Sequence, residues 1–206
     1  RPTPSNKFPL LGGAVGFISY DAVRMWENLP ELAQNDLGFP DLEFGIYDDG
    51  LVFDHHNWKA FYYHRGEDRS DQILDMTNQA EERNDFGHSE PRSRISREKF
   101  EDNVSRAKNY IEAGDIFQVV LSRRLDFNVA GDLLVFYETL RKINPSPYMF
   151  YLKLGPREII GSSPEMLVRI SDRTVESYAI AGTKPHVDDP AKNRALANEL
   201  LEDPKE

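Results

Sequence analysis

The stretch Tyr-Met-Phe-Tyr-Leu-Lys-Leu-Gly-Pro-Arg-Glu-Ile-Ile-Gly (residues 148–161) decides the fold, because it begins a run of short strands. Four strand patterns follow one another from here: Tyr148–Leu154, Ile159–Gly161, Met166–Ile170 and Thr174–Tyr178. Ser171-Asp-Arg173 makes one of the turns between them. Helical patterns intervene elsewhere without a regular βαβ alternation, so the sequence predicts an α+β fold with mainly antiparallel sheets and flanking helices.

The N-terminal part of the chain is also rich in predicted strands. Four strand patterns precede residue 65: Gly12–Tyr20, Leu42–Ile46, Leu51–Asp54 and Ala60–His64. The glycines of the first indicate close backbone approach or a bulge, and Asp48-Asp-Gly50 is a hairpin turn signal between the second and third. Gln72–Glu82 has helical spacing, with Ser70 as its cap.

A polar segment, Arg83–Ser96, contains Gly, Pro and several Ser and is the best candidate for a linker. It divides the chain into two predicted regions, residues 1–92 and residues 93–206. The first is strand-rich with a helix near 72–82.

The second region has sharper patterns. A helix capped by Ser96 runs to Ala113 and is closed by Gly114. Ile116–Arg124 is predicted as a strand that carries Gln118 on the face opposite Phe117 and Val119. Two further helices are predicted: Leu133–Ile143, stopped by Asn144-Pro-Ser-Pro147, and Ala191–Leu201.

Composition excludes several classes of protein. The 206 residues are 39% hydrophobic, enough for a core, and the net charge of −10 argues against nucleic acid or an anionic membrane surface as partner. The absence of cysteine excludes disulfides and thiolate metal sites. No apolar run is long enough to span a bilayer, and the first residues lack a signal core, so the expected location is the cytoplasm.

Two small-residue turns are candidate site elements. Gly161-Ser-Ser-Pro-Glu165 presents a carboxylate, and Ala179-Ile-Ala-Gly-Thr183 presents backbone amides and a hydroxyl that could bind a carboxylate. Spacing alone favours Glu165 as a solvated residue after a turn, and the alternative for Gly182-Thr183 is a simple turn that ends a strand. Likewise, Gln118 reads as an ordinary hydrogen-bonded sheet residue.

The segment Asn144-Pro-Ser-Pro-Tyr-Met-Phe150 is a stiff elbow with two aromatic residues and an adaptable Met. It reads either as a helix stop that leads into a core strand or as the wall of a pocket for an aromatic ligand. The five histidines show no metal-ligand spacing.

Taken together, five segments of this chain resemble component I of anthranilate synthase, in the family of chorismate-binding enzymes. The segments are Gly12–Asp21, Ala113–Ser122, Asn144–Tyr151, Gly161–Arg169 and Ile180–Thr183. The resemblance covers nearly the full length. It implies that residues 1–92 are the end of an N-terminal region and that residues 93–206 are the first part of a chorismate-binding catalytic domain, truncated at its C-terminus.

The resemblance implies roles for particular residues. Glu165 resembles the general acid that protonates the departing C4 hydroxyl of chorismate, and Gly182 and Thr183 resemble the pair that binds the substrate carboxylate. The elbow residues Pro147, Tyr148 and Met149 resemble part of a tryptophan feedback pocket. Asp203-Pro-Lys-Glu206 resembles the start of a metal-site segment, which implies Mg²⁺ as cofactor with its ligands beyond Glu206.

Two positions discriminate within the family. Gln118, counted among the substrate-binding residues, stands where isochorismate and salicylate synthases carry a Lys that activates water. Ala181 stands where many aminodeoxychorismate synthases carry a nucleophilic Lys. Both choices favour ammonia as the nucleophile.

The activity implied is the conversion of chorismate and ammonia to anthranilate and pyruvate in tryptophan biosynthesis. A glutamine amidotransferase subunit would supply the ammonia, and tryptophan would inhibit. Aminodeoxychorismate synthase component I, or a non-catalytic metabolite-binding module of the same fold, is the alternative. The chain is expected to be an internal fragment without activity of its own.

Overall fold

The computed structural model describes Phe8 and residues 11–79, 85–178 and 182–203. The chain divides into two compact units: Arg1–Asn78 together with Arg141–Glu206, and Gln79–Leu140. The sequence-based boundary between residues 92 and 93 concerns the domains of a longer protein and stays a prediction.

In the first unit, β1 (Gly13–Ile18) pairs antiparallel with β2 (Leu42–Tyr47), so that Gly16 lies opposite Phe44. A Cβ atom at Gly16 would collide with the backbone of Glu43, which confirms the close backbone approach expected from the glycines of this segment. A 3₁₀ helix at Tyr20–Met25 follows and contains Ala22, a buried residue.

The next two strands form a hairpin of their own, β3 (Asp49–Asp54) with β4 (Lys59–His64). The hairpin predicted through Asp48-Asp-Gly50 is therefore wrong. Only Asp48 separates β2 from β3, and the tightest common hairpin needs two residues to reverse the chain. The reversal occurs after Asp54, whose Oδ1 accepts hydrogen bonds of 3.1 Å from the amides of His56 and Asn57.

Helix α1 (Ser70–Asn78) begins two residues before the predicted start. Ser70 is its first residue rather than its cap, because its amide donates to Asp68 Oδ1 at 2.9 Å. Asp49 on β3 holds the start of the helix: it accepts two hydrogen bonds of 2.7 Å from Arg69 and one of 3.0 Å from Tyr62. The predicted end at Glu82 lies outside the described residues.

The second unit contains two short strand pairs. β5 (Gly87–His88) pairs with β8 (Val129–Ala130), and β6 (Arg92–Ser93) pairs with β7 (Leu125–Asp126). The segment predicted as a linker is thus partly paired. Its polar residues find partners here: Asp126 accepts hydrogen bonds from Arg124 at 2.7 Å and from Arg94, and these hold the pKa of Asp126 below its usual value.

Helix α2 (Arg97–Glu112) has the predicted caps, since Ser96 Oγ accepts from the amide of Lys99 at 3.2 Å and Gly114 has a positive φ of 79°. Helix α3 (Leu133–Ile143) has the predicted bounds. Phe136 on α3 contacts Phe86, with ring centroids 5.5 Å apart.

The strand predicted at Ile116–Arg124 does not form, and this segment is irregular up to β7. Its alternating side chains lack an apolar surface to pack on: Phe117 is 93% exposed and Val120 is 83% exposed. A strand is stabilised by a neighbouring backbone and by burial of one face. Among the described residues no strand pairs with residues 116–124.

The remaining strands return to the first unit. β9 (Tyr148–Leu154) has the predicted bounds, and β10 (Arg157–Ser163) pairs with it over seven residues. β11 (Arg169–Ser171) and β12 (Thr174–Glu176) are shorter than predicted but flank the predicted turn, where Asp172 has a φ of 53°. Helix α4 (Pro190–Leu201) follows, with the Asp189 carboxylate accepting from the amides of Ala191 and Lys192.

Each of these strand pairs is antiparallel, and helices lie between the pairs, which confirms the α+β class. None of the described helices has the length and apolar character required to cross a membrane. Within the described ranges, Ala22 and Leu154 are the buried apolar residues.

An ion pair joins β2 to β10. Arg157 donates two hydrogen bonds to the carboxylate of Glu43, of 2.6 and 2.7 Å, across 114 residues of sequence. Both side chains are mostly shielded, at 31% and 21% exposure. Two parallel bonds in a bidentate geometry make this a stronger pair than an ordinary surface contact.

We expect the pair to stabilise the fold in a pH-dependent manner. The hydrogen bonds from Arg157 hold the pKa of Glu43 below its usual 4.5. A lowered carboxyl pKa contributes stability that is fully present above the unfolded-state pKa and is lost as the pH falls through the folded-state value. Glu43→Gln should therefore lower the thermal unfolding midpoint near neutral pH, and the difference from wild type should shrink below about pH 4.5.

Unfolding midpoints of both proteins between about pH 3 and 7 provide the measurement. Glu90→Gln, at an exposed position in the second unit, is the control. A difference between wild type and Glu43→Gln that is constant over this range would contradict the role assigned to the charge.

Candidate functional site

The register of the β9–β10 hairpin brings two predicted site elements together. Tyr148 lies opposite Ser163, and Met149 lies opposite Ser162. Residues directly opposite in an antiparallel pair project from the same face. The elbow residues are therefore neighbours of the turn that carries Glu165, although 16 residues of sequence separate Met149 from Glu165.

Two serine hydroxyls, those of Ser146 and Ser162, tie these two elements together. Ser146 Oγ donates to the carbonyl oxygen of Ser163 at 2.9 Å. Ser162 Oγ lies 2.7 Å from the carbonyl oxygen of Asn144 and 2.9 Å from Ser146 Oγ. A hydroxyl has a single proton to donate. Ser146 donates its proton to the carbonyl oxygen of Ser163. Ser162 therefore donates either to the carbonyl oxygen of Asn144 or to Ser146 Oγ.

Glu165 follows Pro164 in the irregular segment between β10 and β11, and it is exposed. It was predicted at the start of a strand at 166–170, but the strand begins only at Arg169. Its backbone amide donates to Ser163 Oγ at 3.4 Å. In the described part of the chain no side chain pairs with its carboxylate.

Gly161 fits this hairpin for a steric reason. It lies opposite Phe150, and a Cβ atom at Gly161 would collide with the Phe150 ring. The ring lies across the glycine and covers the backbone two residues before Ser163. The sequence placed Gly161 at the end of a strand and in a small-residue turn but did not show this contact, because the Phe150 ring is 11 residues away in the sequence.

The second small-residue loop is described in part. Gly182 is half-buried and Thr183 is exposed, whereas Ala181 and the two residues before it lie outside the described residues, as does Glu206. The loop reaches α4 through Asn193, whose Oδ1 accepts from the amide of Val187 at 2.9 Å. Sequence reasoning missed Asn193, which sits inside a helical pattern and gives no signal of its role in the loop.

Gln118 is exposed and belongs to the second unit. It lies in the irregular segment 116–124, so the face assignment that a strand would have given it does not apply. Pro147 is exposed, Tyr148 is 41% exposed and Met149 is half-buried. Tyr148 and Met149 begin β9 as predicted, with Pro147 directly before the strand, and the binding role of these three residues stays a prediction.

Among the described residues no three His, Asp or Glu side chains come together as a metal site. Mg²⁺ as cofactor, with its ligands beyond Glu206, stays a prediction.

One concave feature was not anticipated from the sequence. An apolar groove of about 350 Å³ lies between the β3–β4 hairpin and α1. Its walls include Leu51, Phe53, Tyr62, Ile73 and Leu74. The described residues that line it are apolar or carry a hydroxyl.

Comparison with known proteins identifies the family. The model of the chorismate binding enzyme family matches residues 1–206, the whole chain. The chain belongs to the chorismate binding enzymes. The hairpin with its serine-linked turn and the Gly182-Thr183 loop are thus parts of a chorismate binding enzyme.

Curated relatives of this chorismate binding enzyme share a name. It is 44% identical over 201 residues to anthranilate synthase component 1 of Methanothermobacter marburgensis, covering 98% of this chain and 43% of the relative. It is 41% identical to the protein of the same name from Acetivibrio thermocellus, covering 95% of this chain and 44% of the relative. The chain therefore spans less than half the length of these relatives.

A solved structure agrees with the fold. The crystal structure of anthranilate synthase component I from Streptococcus pneumoniae TIGR4 matches with a TM-score of 0.79 at 30% identity. The match covers 100% of this chain and 48% of the other. The strands and helices of this chorismate binding enzyme thus follow those of a known member of the same family.

Proposed function

We propose that this chain is the central part of an anthranilate synthase component I, a lyase that converts chorismate and ammonia to anthranilate and pyruvate. The observation that carries the proposal is the β9–β10 hairpin, which holds the Glu165 turn beside the Tyr148–Met149 elbow. The similarity over nearly the whole chain to relatives of that name supports it. A protein of the relatives' length that contains this chain is called the full-length protein.

In the proposed reaction Glu165 acts as general acid. Its carboxyl proton passes to the oxygen at C4 of chorismate, the C4–O bond breaks, and water leaves. Ammonia forms the new bond at C2 and loses a proton, while the ring double bonds shift toward C4. Loss of the C2 proton and cleavage of the C3–O bond then release the side chain as pyruvate and leave the aromatic ring of anthranilate. A positioned proton donor of this kind contributes about 10²–10⁴-fold to a rate.

The other site residues have supporting roles. The amides at Gly182 and the hydroxyl of Thr183 would bind a carboxylate of chorismate, since donors of this type form anion-binding sites. Gln118 carries an amide, which cannot remove a proton from water, so ammonia rather than water is the nucleophile that fits. A glutamine amidotransferase subunit would supply it, in the cytoplasm.

The proposal also includes an inhibitor and a metal ion. Tryptophan would bind at Pro147, Tyr148 and Met149 and inhibit the enzyme. Mg²⁺ would be needed, held by residues outside the described part of the chain.

We expect the full-length protein to form anthranilate, detected by its fluorescence, from chorismate, an ammonium salt and Mg²⁺. The 206-residue chain alone should form none. Reactions without ammonium and without Mg²⁺ are the controls. Isochorismate or aminodeoxychorismate as the product would contradict the assignment and favour a different member of the family; binding of tryptophan without turnover would favour a metabolite-binding module.

A further inference from the structure

The turn that carries Glu165 is closed by the hydroxyl of Ser163. This residue ends β10, and its Oγ lies 3.4 Å from the amide nitrogen of Glu165 and 3.3 Å from its carbonyl oxygen. One side chain thus contacts both polar backbone groups of Glu165 across Pro164. Pro164 also fixes its own φ. The backbone is therefore restrained before the Pro164–Glu165 peptide bond by the proline ring and after it by the Ser163 hydroxyl.

Ser163 is itself held by the elbow. Its carbonyl oxygen accepts the proton of Ser146 Oγ at 2.9 Å. Ser146 stands between Pro145 and Pro147, so its backbone is restricted by the proline that comes after it and by the fixed φ of both neighbours. The backbone that carries its hydroxyl is therefore restrained.

We propose that Ser163 and Ser146 are positioning residues for the general acid Glu165. The proposal rests on the proposed function, because it needs Glu165 to act on the substrate. Glu165 is exposed and lies outside any strand or helix, so neither a packed core nor a backbone ladder fixes its carboxylate. The two serines restrain the backbone from which the carboxylate projects, and an error of about 1 Å in the position of a reacting group can cost about 10²-fold in rate.

A purely local role for the hydroxyl makes a different prediction. Serine side chains often bond to the backbone two residues later simply to end a strand or form a turn. Loss of such a contact lowers stability but leaves kcat unchanged in the protein that remains folded. Measuring kcat, KM and the unfolding midpoint of each serine variant therefore distinguishes the two roles.

The test compares Ser163→Ala, Ser163→Thr and Ser146→Ala in the full-length protein, with disappearance of chorismate as the readout. We expect Ser163→Ala to lower kcat by about 10–100-fold with KM changed less than about threefold. Ser163→Thr keeps the hydroxyl and should restore kcat to within about threefold of wild type. Ser146→Ala should lower kcat by a smaller factor, because it acts through Ser163.

Ser105→Ala is the matched control, because it removes a serine hydroxyl that bonds to a backbone carbonyl elsewhere, that of Glu101 on α2. Its kcat should equal that of wild type. A kcat of Ser163→Ala within about twofold of wild type, or of Ser163→Thr as low as that of the alanine variant at equal unfolding midpoint, would overturn the proposal. If wild type consumes chorismate but forms another product, the proposed function fails while the rate ratios still decide the role of the serines.

Discussion

Replacement of Glu165 by Gln in the full-length protein is expected to lower kcat for chorismate by about 10²–10⁴-fold, with little change in chorismate binding. The amide keeps the size of the side chain and its backbone contacts to Ser163, but it has no acidic proton for the C4 oxygen. The measurement is the initial rate of anthranilate formation under saturating chorismate, together with KM.

The matched control for this result is Glu112→Gln, the same change at the exposed last residue of α2, which should leave kcat as it is. A Glu165→Gln enzyme with a kcat close to wild type would reduce Glu165 to a solvated residue after a turn. The proposed reaction would then need another proton donor.

The second large effect is expected for Met149→Thr, which should raise the tryptophan concentration for half inhibition by about tenfold, the factor that a loss of ~1.4 kcal/mol produces. Met149 is half-buried at the start of β9, and its thioether is an adaptable apolar surface for an indole ring. Activity without tryptophan should stay nearly intact, because feedback uses a site coupled to the catalytic one but separate from it.

Lys153→Thr is the matched control, because it also introduces a threonine on this face of β9, four positions after Met149. Its half-inhibition concentration should equal that of wild type. If inhibition and uninhibited kcat of Met149→Thr fall together, the elbow serves only to hold the strand; if inhibition is unchanged, tryptophan binds elsewhere.

The elements predicted correctly are those whose signal is local. Helix α3 and strand β9 have the predicted bounds. The spacing of apolar residues indicates each element, and the prolines at 145 and 147 separate the end of the helix from the start of the strand. The caps of α2 were likewise predicted correctly from neighbouring residues. Each of these features needs only residues within a few positions of itself.

The wrong predictions concern pairing, which is not local. Residues 116–124 alternate like a strand, yet strand structure needs a partner backbone that the pattern cannot supply. Asp48-Asp-Gly50 has the composition of a hairpin turn, but Asp49 instead accepts hydrogen bonds from Arg69 and Tyr62. Composition indicates what a turn can be made of, whereas long-range contacts decide where the chain reverses.

The residues of the candidate site were proposed from the sequence, but their arrangement could not be. Glu165 and the elbow were singled out separately, and only the register of β9 against β10 makes them neighbours. The serines at 146 and 163 were noted as turn residues without a function. The spacing Ser163-Pro-Glu165 was a usable signal, since a serine commonly bonds to the backbone two residues later.

The ion pair between Glu43 and Arg157 has a consequence for how the protein is made. The partners are 114 residues apart, and at about 5–20 residues per second a ribosome adds Arg157 about 6–23 s after Glu43. During that interval the growing chain contains Glu43 on β2 but not Arg157, its ion-pair partner. The link between the early and late strands is thus a late event of synthesis, and a nascent chain released before residue 157 lacks the contact that joins its first strands to the hairpin of the candidate site.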